Sequence, residues 1–447
     1  MQKRKKDKYN KNNKLNLFIR KMKNIFKKIY KIDETVQDPI NKNLCVGKGQ
    51  TMFDQNPLFI PGPTNIPDRL RQAMDVQTRD HRSPDFVDLM VPVQTGVKEV
   101  FGTESARVLF FPASGTGGWE AAIANTLSAG DKVLMARNGV FSHRWIDLCQ
   151  RHGLEVQVIE CVWGNGVPAD MIEAALTADA EKQIKAVLIT HNETATGVRS
   201  DIAAIRGALD SASHPALLFV DCVSSLASMP FLMDAWGVDI AVAGSQKGFM
   251  LATGMAILAV SEKALDAMEQ ARLPRTFFDF KDMIKANNAG GYPYTPPMNL
   301  IAGLQESLKM LGEEGLNNVY ARHYRLAEGV RRAVAAWGLE LVASSPDLYS
   351  DTVSAIMTPR GFDSNLLTQH AFSGYGVSFG VGLGELNGKV FRIGHLGSLT
   401  DVMVLSGLAT MEMAMADLDY PVELGCGVAA AQSYFRESRI GADRLAA

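Results

Sequence analysis

The stretch Asp239-Ile-Ala-Val-Ala-Gly-Ser-Gln-Lys-Gly248 is a short apolar run that ends in a turn of small residues and delivers one lysine, Lys247. Upstream, Ala216-Leu-Leu-Phe-Val-Asp221 repeats the design with a carboxylate at its end. Both runs are too short and too rich in branched side chains to favour a helix. Each reads as a buried parallel strand whose last residue emerges at the carboxyl edge of a sheet. Open α/β sheets hold ligands at that edge.

Outward from these two, apolar runs alternate with helix-length segments: Val108 to Phe111, Val133 to Ala136, Val156 to Ile159, Ala186 to Thr190, Ala216 to Val220, Ile240 to Ala243 and Met255 to Val260. The pattern predicts an α/β fold, a seven-stranded, mostly parallel sheet covered by helices on both faces. The spacing between Asp221 and Lys247 leaves room for one helix and one strand, placing the two on neighbouring strand ends. Beyond Gly290, a stiff Gly291-Tyr-Pro-Tyr-Thr-Pro-Pro297 loop precedes a long helical stretch from about Leu300 to Trp337, broken near Gly312 and Gly315. A smaller α/β region follows, with Val353 to Met357 and Val390 to Ile393 as strands.

With 447 residues, 47% of them hydrophobic, the chain can bury a large core and is expected to form two domains. No apolar run reaches the roughly 18 residues of a membrane-spanning helix. Five scattered cysteines without a C-x-x-C pair exclude a disulfide framework and a thiolate metal site, and point to a reducing, cytoplasmic setting. Residues 1–50 carry 15 Lys and Arg against 4 Asp and Glu, leaving 31 against 44 for the remainder. The acidic body argues against nucleic acid or an anionic membrane as partner. The basic segment has three readings: a tail that is disordered or not native, a surface helix from Leu15 to Ile32, or a transit peptide. Expression from Met52 is expected to leave activity unchanged. The arm Phe59-Ile-Pro-Gly-Pro-Thr-Asn-Ile-Pro67 cannot be helical and is expected to lie extended across another surface.

Phe110-Phe-Pro-Ala-Ser-Gly-Thr-Gly-Gly-Trp-Glu120 puts a glycine-rich turn after a strand and before a helix expected to begin near Trp119. Free N–H groups at a helix start bind phosphate, although a plain tight turn has the same signature. Lys247 alone could be a solvated strand end, and Asp221 could cap a following helix. Together, the amine, the carboxylate and the anion cradle are what pyridoxal phosphate requires: a Schiff-base partner, a counter-charge for the pyridinium nitrogen and a phosphate site.

Six ordered motifs extend this reading: Ser114-Gly-Thr-Gly-Gly-Trp-Glu120, His191-Asn-Glu-Thr-Ala-Thr-Gly-Val198, Asp221-Cys-Val-Ser-Ser225, Gly244-Ser-Gln-Lys247, Tyr292-Pro-Tyr-Thr-Pro296 and Phe391-Arg-Ile-Gly-His-Leu-Gly397. Over about residues 56–430 the chain resembles the class V, fold-type I aminotransferases, within them the serine-glyoxylate group. The resemblance implies that Lys247 binds the cofactor as a Schiff base and shuttles the proton at the substrate Cα. Asp221 would pair with the ring nitrogen, Thr194 with the phenolic oxygen, and Phe141 would stack on the ring. Thr116, Gly117, Gly118 and Gln246 would hold the phosphate, joined by Tyr292 and Thr295 from the neighbouring subunit of a homodimer. Arg392 would grip the substrate α-carboxylate through a bidentate pair. Without the resemblance, Arg392 reads as an ordinary surface cation, and Tyr292 and Thr295 as loop packing.

The implied division is a basic tail over 1–51, an N-terminal arm over 52–75, a large cofactor-binding domain over 76–310 and a small C-terminal domain over 311–447. The implied reaction takes the amine of L-serine, giving hydroxypyruvate, to glyoxylate, giving glycine. Asn138 to Asp147 and Arg272 to Asp279 also resemble aspartate-glyoxylate transaminases, which would release oxaloacetate. A dicarboxylic donor needs another cation or donor group, for which His81, Arg82, Arg144 and Arg275 are the candidates. A cysteine desulfurase or lyase, or a non-catalytic binding protein, on the same fold are the rival readings.

Overall fold

The computed structural model describes residues 56–77 and 79–446. The readings of the basic segment 1–51 lie outside these residues. All seven runs become strands of one sheet, in the spatial order Arg107–Phe111, Ala256–Val260, Ile240–Gly244, Leu217–Asp221, Ile184–Thr190, Lys132–Arg137 and Glu155–Glu160. Only Ala256–Val260 runs antiparallel to its neighbours. The three strands Leu217–Asp221, Ile240–Gly244 and Ala256–Val260 are buried at every residue, as expected where helices cover both faces. The edge strand Glu155–Glu160 instead carries exposed glutamates at both ends.

Two expectations about connections change. The segment between Leu217–Asp221 and Ile240–Gly244 contains no α-helix. It folds as successive turns, including Leu226 N–H to Cys222 C=O (2.9 Å) and Met229 N–H to Ser225 C=O (2.8 Å). The break in the long helical stretch falls at Gly315 alone, where φ is +80°. Gly312 lies inside the helix Met298–Glu314, and the next helix is Leu316–Ala336.

A four-stranded sheet is ordered Leu58–Phe59, Ser378–Val381, Val390–Gly394, Val353–Met357. Its first strand comes from the proline-rich arm, pairing in parallel with Ser378 and Phe379. The arm therefore finds its surface by extending this sheet. Two hydrophobic cores result, one built on the large sheet and reaching to Val319, the other holding Phe59 and running from Leu326 to Phe435. Among the described residues, no helix is long and apolar enough to cross a membrane.

Candidate active site

Asp221 is the last residue of its strand and lies in register with Val242 of the parallel neighbour. That neighbour ends at Gly244, so the turn carrying Lys247 leaves the sheet from the same edge. Burial pushes the Asp221 carboxyl up to about 7, with the Val223 N–H and the Lys247 charge opposing and Glu193 adding to the rise. Burial, then the Arg392 cation, brings the Lys247 amine down to about 8 against the pull of Asp221. Lys247 thus senses both Asp221 and Arg392 electrostatically, although the three come from distant parts of the sequence.

The arm closes this edge. Lys247 Nζ donates to the Pro61 carbonyl, and Thr64 N–H donates to Gln246 C=O at 3.2 Å. A Cβ on Gly62, at φ +103°, would lie 2.4 Å from Lys247 Nζ, so only glycine lets backbone and amine approach this closely.

The helix predicted near Trp119 begins four residues earlier and spans Gly115–Thr126. The glycine-rich turn is therefore its first turn. Ser114 makes no side-chain cap and no acidic residue occupies that turn. Among the described residues, the N–H groups of Gly115, Thr116 and Gly117 have no protein acceptor, while Gly118 bonds Ser114 C=O. A Cβ on Gly118 would meet Val242 at 2.5 Å, and one on Gly115 would meet Val223 at 2.5 Å. The helix start is pressed against the two segments that present Asp221 and Lys247. Gln246 is buried with an unpaired Oε1. Free N–H groups at a positive helix end, with an amine and a carboxylate on one edge, fit pyridoxal phosphate.

Thr194 is buried with its hydroxyl donating to Ser224 Oγ at 2.9 Å. Bonding a phenolic oxygen would require that hydroxyl to turn. Arg392, in the strand Val390–Gly394, is 7% exposed. Its Nε donates to Val381 C=O (2.9 Å) and one Nη1 proton to Thr194 C=O (3.0 Å). A bidentate grip on a carboxylate is left to the two Nη groups, end-on. Phe141 is half-buried, with the Arg144 guanidinium 5.3 Å from its ring centroid.

Tyr292 and Thr295 are not drawn to Lys247 by any contact. The Tyr292 hydroxyl donates to Phe110 C=O inside the core, and Thr295 is exposed. Among the cations weighed for a second carboxylate, Arg275 is taken by Asp279 (3.3 Å) and by backbone carbonyls including Ala124. Arg82 is exposed and His81 half-buried. Arg144 has no ion pair or hydrogen bond among the described residues and lies close enough for its charge to depress Arg392.

Sequence reasoning gave no role to Glu193, which is fully buried beside these groups. The only local signal is a helix start, Gly139-Val-Phe-Ser142, whose leading residue has no side chain to cap it. Cys222, the cysteine nearest the site in sequence, is buried with its thiol on Val242 C=O (3.2 Å), and burial holds its pKa well above the ordinary value. It offers no reactive thiol for a desulfurase.

A family model for class-V aminotransferases matches residues 59–368. The chain is a class-V aminotransferase. Pyridoxal phosphate is the cofactor of this aminotransferase. It is 63% identical over 396 residues to the L-aspartate–glyoxylate aminotransferase of Paracoccus denitrificans, covering 89% of this chain and 100% of that one. It is 54% identical over 383 residues to the serine–glyoxylate aminotransferase of Hyphomicrobium methylovorum, covering 85% and 95%. The crystal structure of pyridoxamine–pyruvate aminotransferase from Mesorhizobium loti superposes on the aminotransferase with a TM-score of 0.79 at 28% identity, covering 86% and 97%.

Proposed function

We propose that this aminotransferase moves the amino group of a small L-amino acid, L-serine giving hydroxypyruvate, onto glyoxylate to make glycine. The observation that carries the reading is that Arg392, from the four-stranded sheet, comes close enough to depress the Lys247 amine, which with Asp221 stands at the carboxyl edge of the large sheet. Relatives named for glyoxylate transamination support the acceptor.

Bound at this edge, pyridoxal phosphate supplies a carbonyl carbon that takes up amines and a ring that accepts the electron pair left at the donor Cα. Lys247 would hold the cofactor and, once released, take and return the proton at the donor Cα. An amine depressed to about 8 is half neutral near that pH, the form such a base needs. Asp221 would stand against the ring nitrogen, where a positive charge would draw its carboxyl back to the ionised form. The free N–H groups of the Gly115–Thr126 helix start, with Thr116, Gly117, Gly118 and Gln246, would hold the phosphate. Phe141 would lie on the ring, Thr194 at the phenolic oxygen, and Arg392 on the α-carboxylate of donor and acceptor.

A second donor, L-aspartate giving oxaloacetate, is favoured by one observation: among the described residues Arg144 is a guanidinium without an ion pair, near Arg392. The 63% identical relative named for that donor supports it. Single-turnover rates with L-serine and L-aspartate, on wild type and Arg144→Gln, test both. Selective loss of the aspartate rate marks Arg144 as the side-chain partner. Absence of glycine formation from glyoxylate with either donor sinks the whole reading.

The homodimer with shared sites belongs to this proposal. The exposed Thr295 stands beside an aromatic pair, Phe277 on Tyr294 at 5.3 Å, with Phe277 42% exposed. The two cores support a division into large and small domains, with the changeover inside the helix Leu316–Ala336. A cytoplasmic location is part of the same reading, supported by the unpaired cysteines among the described residues.

A further inference from the structure

Glu193 sits in a two-residue strand, Asn192–Glu193, immediately past the end of the sheet strand Ile184–Thr190. It is 0% exposed, and among the described residues no cation lies within salt-bridge distance of it. Its carboxylate accepts from Phe141 N–H (3.1 and 3.2 Å), Ser142 N–H (3.0 Å) and Ala195 N–H (3.1 Å). Phe141 and Ser142 open the helix Val140–Arg151. Its three backbone contacts are all donors and favour the ionised form. The positive helix end supports the same charge state. Burial pushes the carboxyl up while these N–H groups oppose the rise.

Space around the carboxylate is shaped to keep it there. A Cβ on Gly139 would fall 2.3 Å from Glu193 Cγ and Cδ. The helix therefore gives up a capping side chain and takes its acceptor from another strand. The residue after Glu193 contributes the carbonyl that holds Arg392. The anion stands between the proposed ring-stacking Phe141 and the proposed carboxylate-binding Arg392, and its charge is felt by both Arg392 and Asp221.

We propose that Glu193 is a positioning residue of the active site: a buried anion that locks the helix start bearing Phe141 in place. This inference rests on the role given above to Phe141. The Phe141 N–H is itself one of these bonds, so the carboxylate acts directly on the backbone that carries the aromatic ring.

The test is a double-mutant cycle on the holoenzyme, with Glu193→Gln, Phe141→Ala and the combination. Readouts are pyridoxal phosphate affinity from apoenzyme reconstitution, the induced circular dichroism of the bound cofactor, and kcat and KM for the amino donor. Glu193→Gln is expected to weaken cofactor binding about tenfold or more, reduce the induced dichroism and lower kcat, with KM for the donor not raised. The double variant is expected to be no worse than the worse single, since both act through one ring. Multiplying effects, or an unaltered cofactor affinity and dichroism in Glu193→Gln, would overturn the proposal. A silent Phe141→Ala defeats the reading of Phe141; a defective Phe141→Ala beside a silent Glu193→Gln defeats this inference alone. If Glu193→Gln fails to fold, Gly139→Ala displaces the carboxylate without removing it and must show the same cofactor signature, its absence again overturning the proposal.

Discussion

Lys247 donates its ε-amine to the carbonyl of Pro61, 186 residues earlier in the chain. The turn at the end of the large sheet thus meets the arm whose strand Leu58–Phe59 completes the other sheet. The same arm passes over Gly394, where a Cβ would lie 2.2 Å from Ile60 O. Arm, lysine and the arginine strand are one packed unit.

Gly62→Ala should disturb that unit. The new Cβ would stand 2.4 Å from Nζ on a backbone at φ +103°, strained for any L side chain. Either the arm lifts or the lysine shifts. Capture of pyridoxal phosphate by the apoenzyme, followed by absorbance, is expected to slow by roughly tenfold, the cost of about 1.4 kcal/mol in the barrier.

The same capture rate should depend on pH with a defined sign. Lys247 attacks as the neutral amine, and its pKa is lowered to about 8 by burial and Arg392. The rate should rise with pH and level off above about 8. Without the Arg392 cation the ammonium is less disfavoured, so Arg392→Gln should move the rise to higher pH. A shift downward, or none, would contradict the assigned coupling.

Shared sites predict complementation. Lys247→Ala subunits lack the amine; Tyr292→Phe/Thr295→Val subunits lack the groups proposed to cross the interface. Each homodimer should be impaired. Mixed dimers concentrate both defects in one site and leave the other intact, so remixing should recover up to about a quarter of wild-type activity. No recovery means each site is built within one chain.

The small core offers a stability test away from the chemistry. Glu412, 2% exposed, accepts from Trp337 Nε1 (2.9 Å) and from the N–H groups of Gly425 (2.7 Å), Gly427 (2.7 Å) and Val428 (3.1 Å). Glu412→Ala leaves these donors unpaired and should cost about 3 kcal/mol. Urea unfolding of the variant checks the figure, and an unchanged midpoint would show that water replaces the carboxylate.

The large sheet was legible because each strand announces itself locally. Val133 to Ala136 and Ile240 to Ala243 are apolar runs bounded by turn residues, and the structure extends them by one residue at one or both ends. The turns after Asp221 were misread as a helix because the length of a connection does not dictate its conformation. The helix after the glycine-rich turn started early because free N–H groups at Gly115 to Gly117 need no capping side chain where an anion is expected. Glu193 was invisible for a different reason: its partners, Phe141 and Ser142, are about fifty residues away. Nothing in the local pattern around either end names the other.

The order of apolar runs and small-residue turns was sufficient by itself to specify a mostly parallel sheet with Asp221 and Lys247 at its carboxyl edge, since strand burial and turn chemistry are short-range properties. Tertiary structure alone decided that Pro61 would cover the amine, that Glu193 would hold Phe141, and that Arg392 would spend two of its donors on backbone. Those choices depend on which distant segments share a dry space, where a buried charge or carbonyl must find its partner wherever the fold happens to place one.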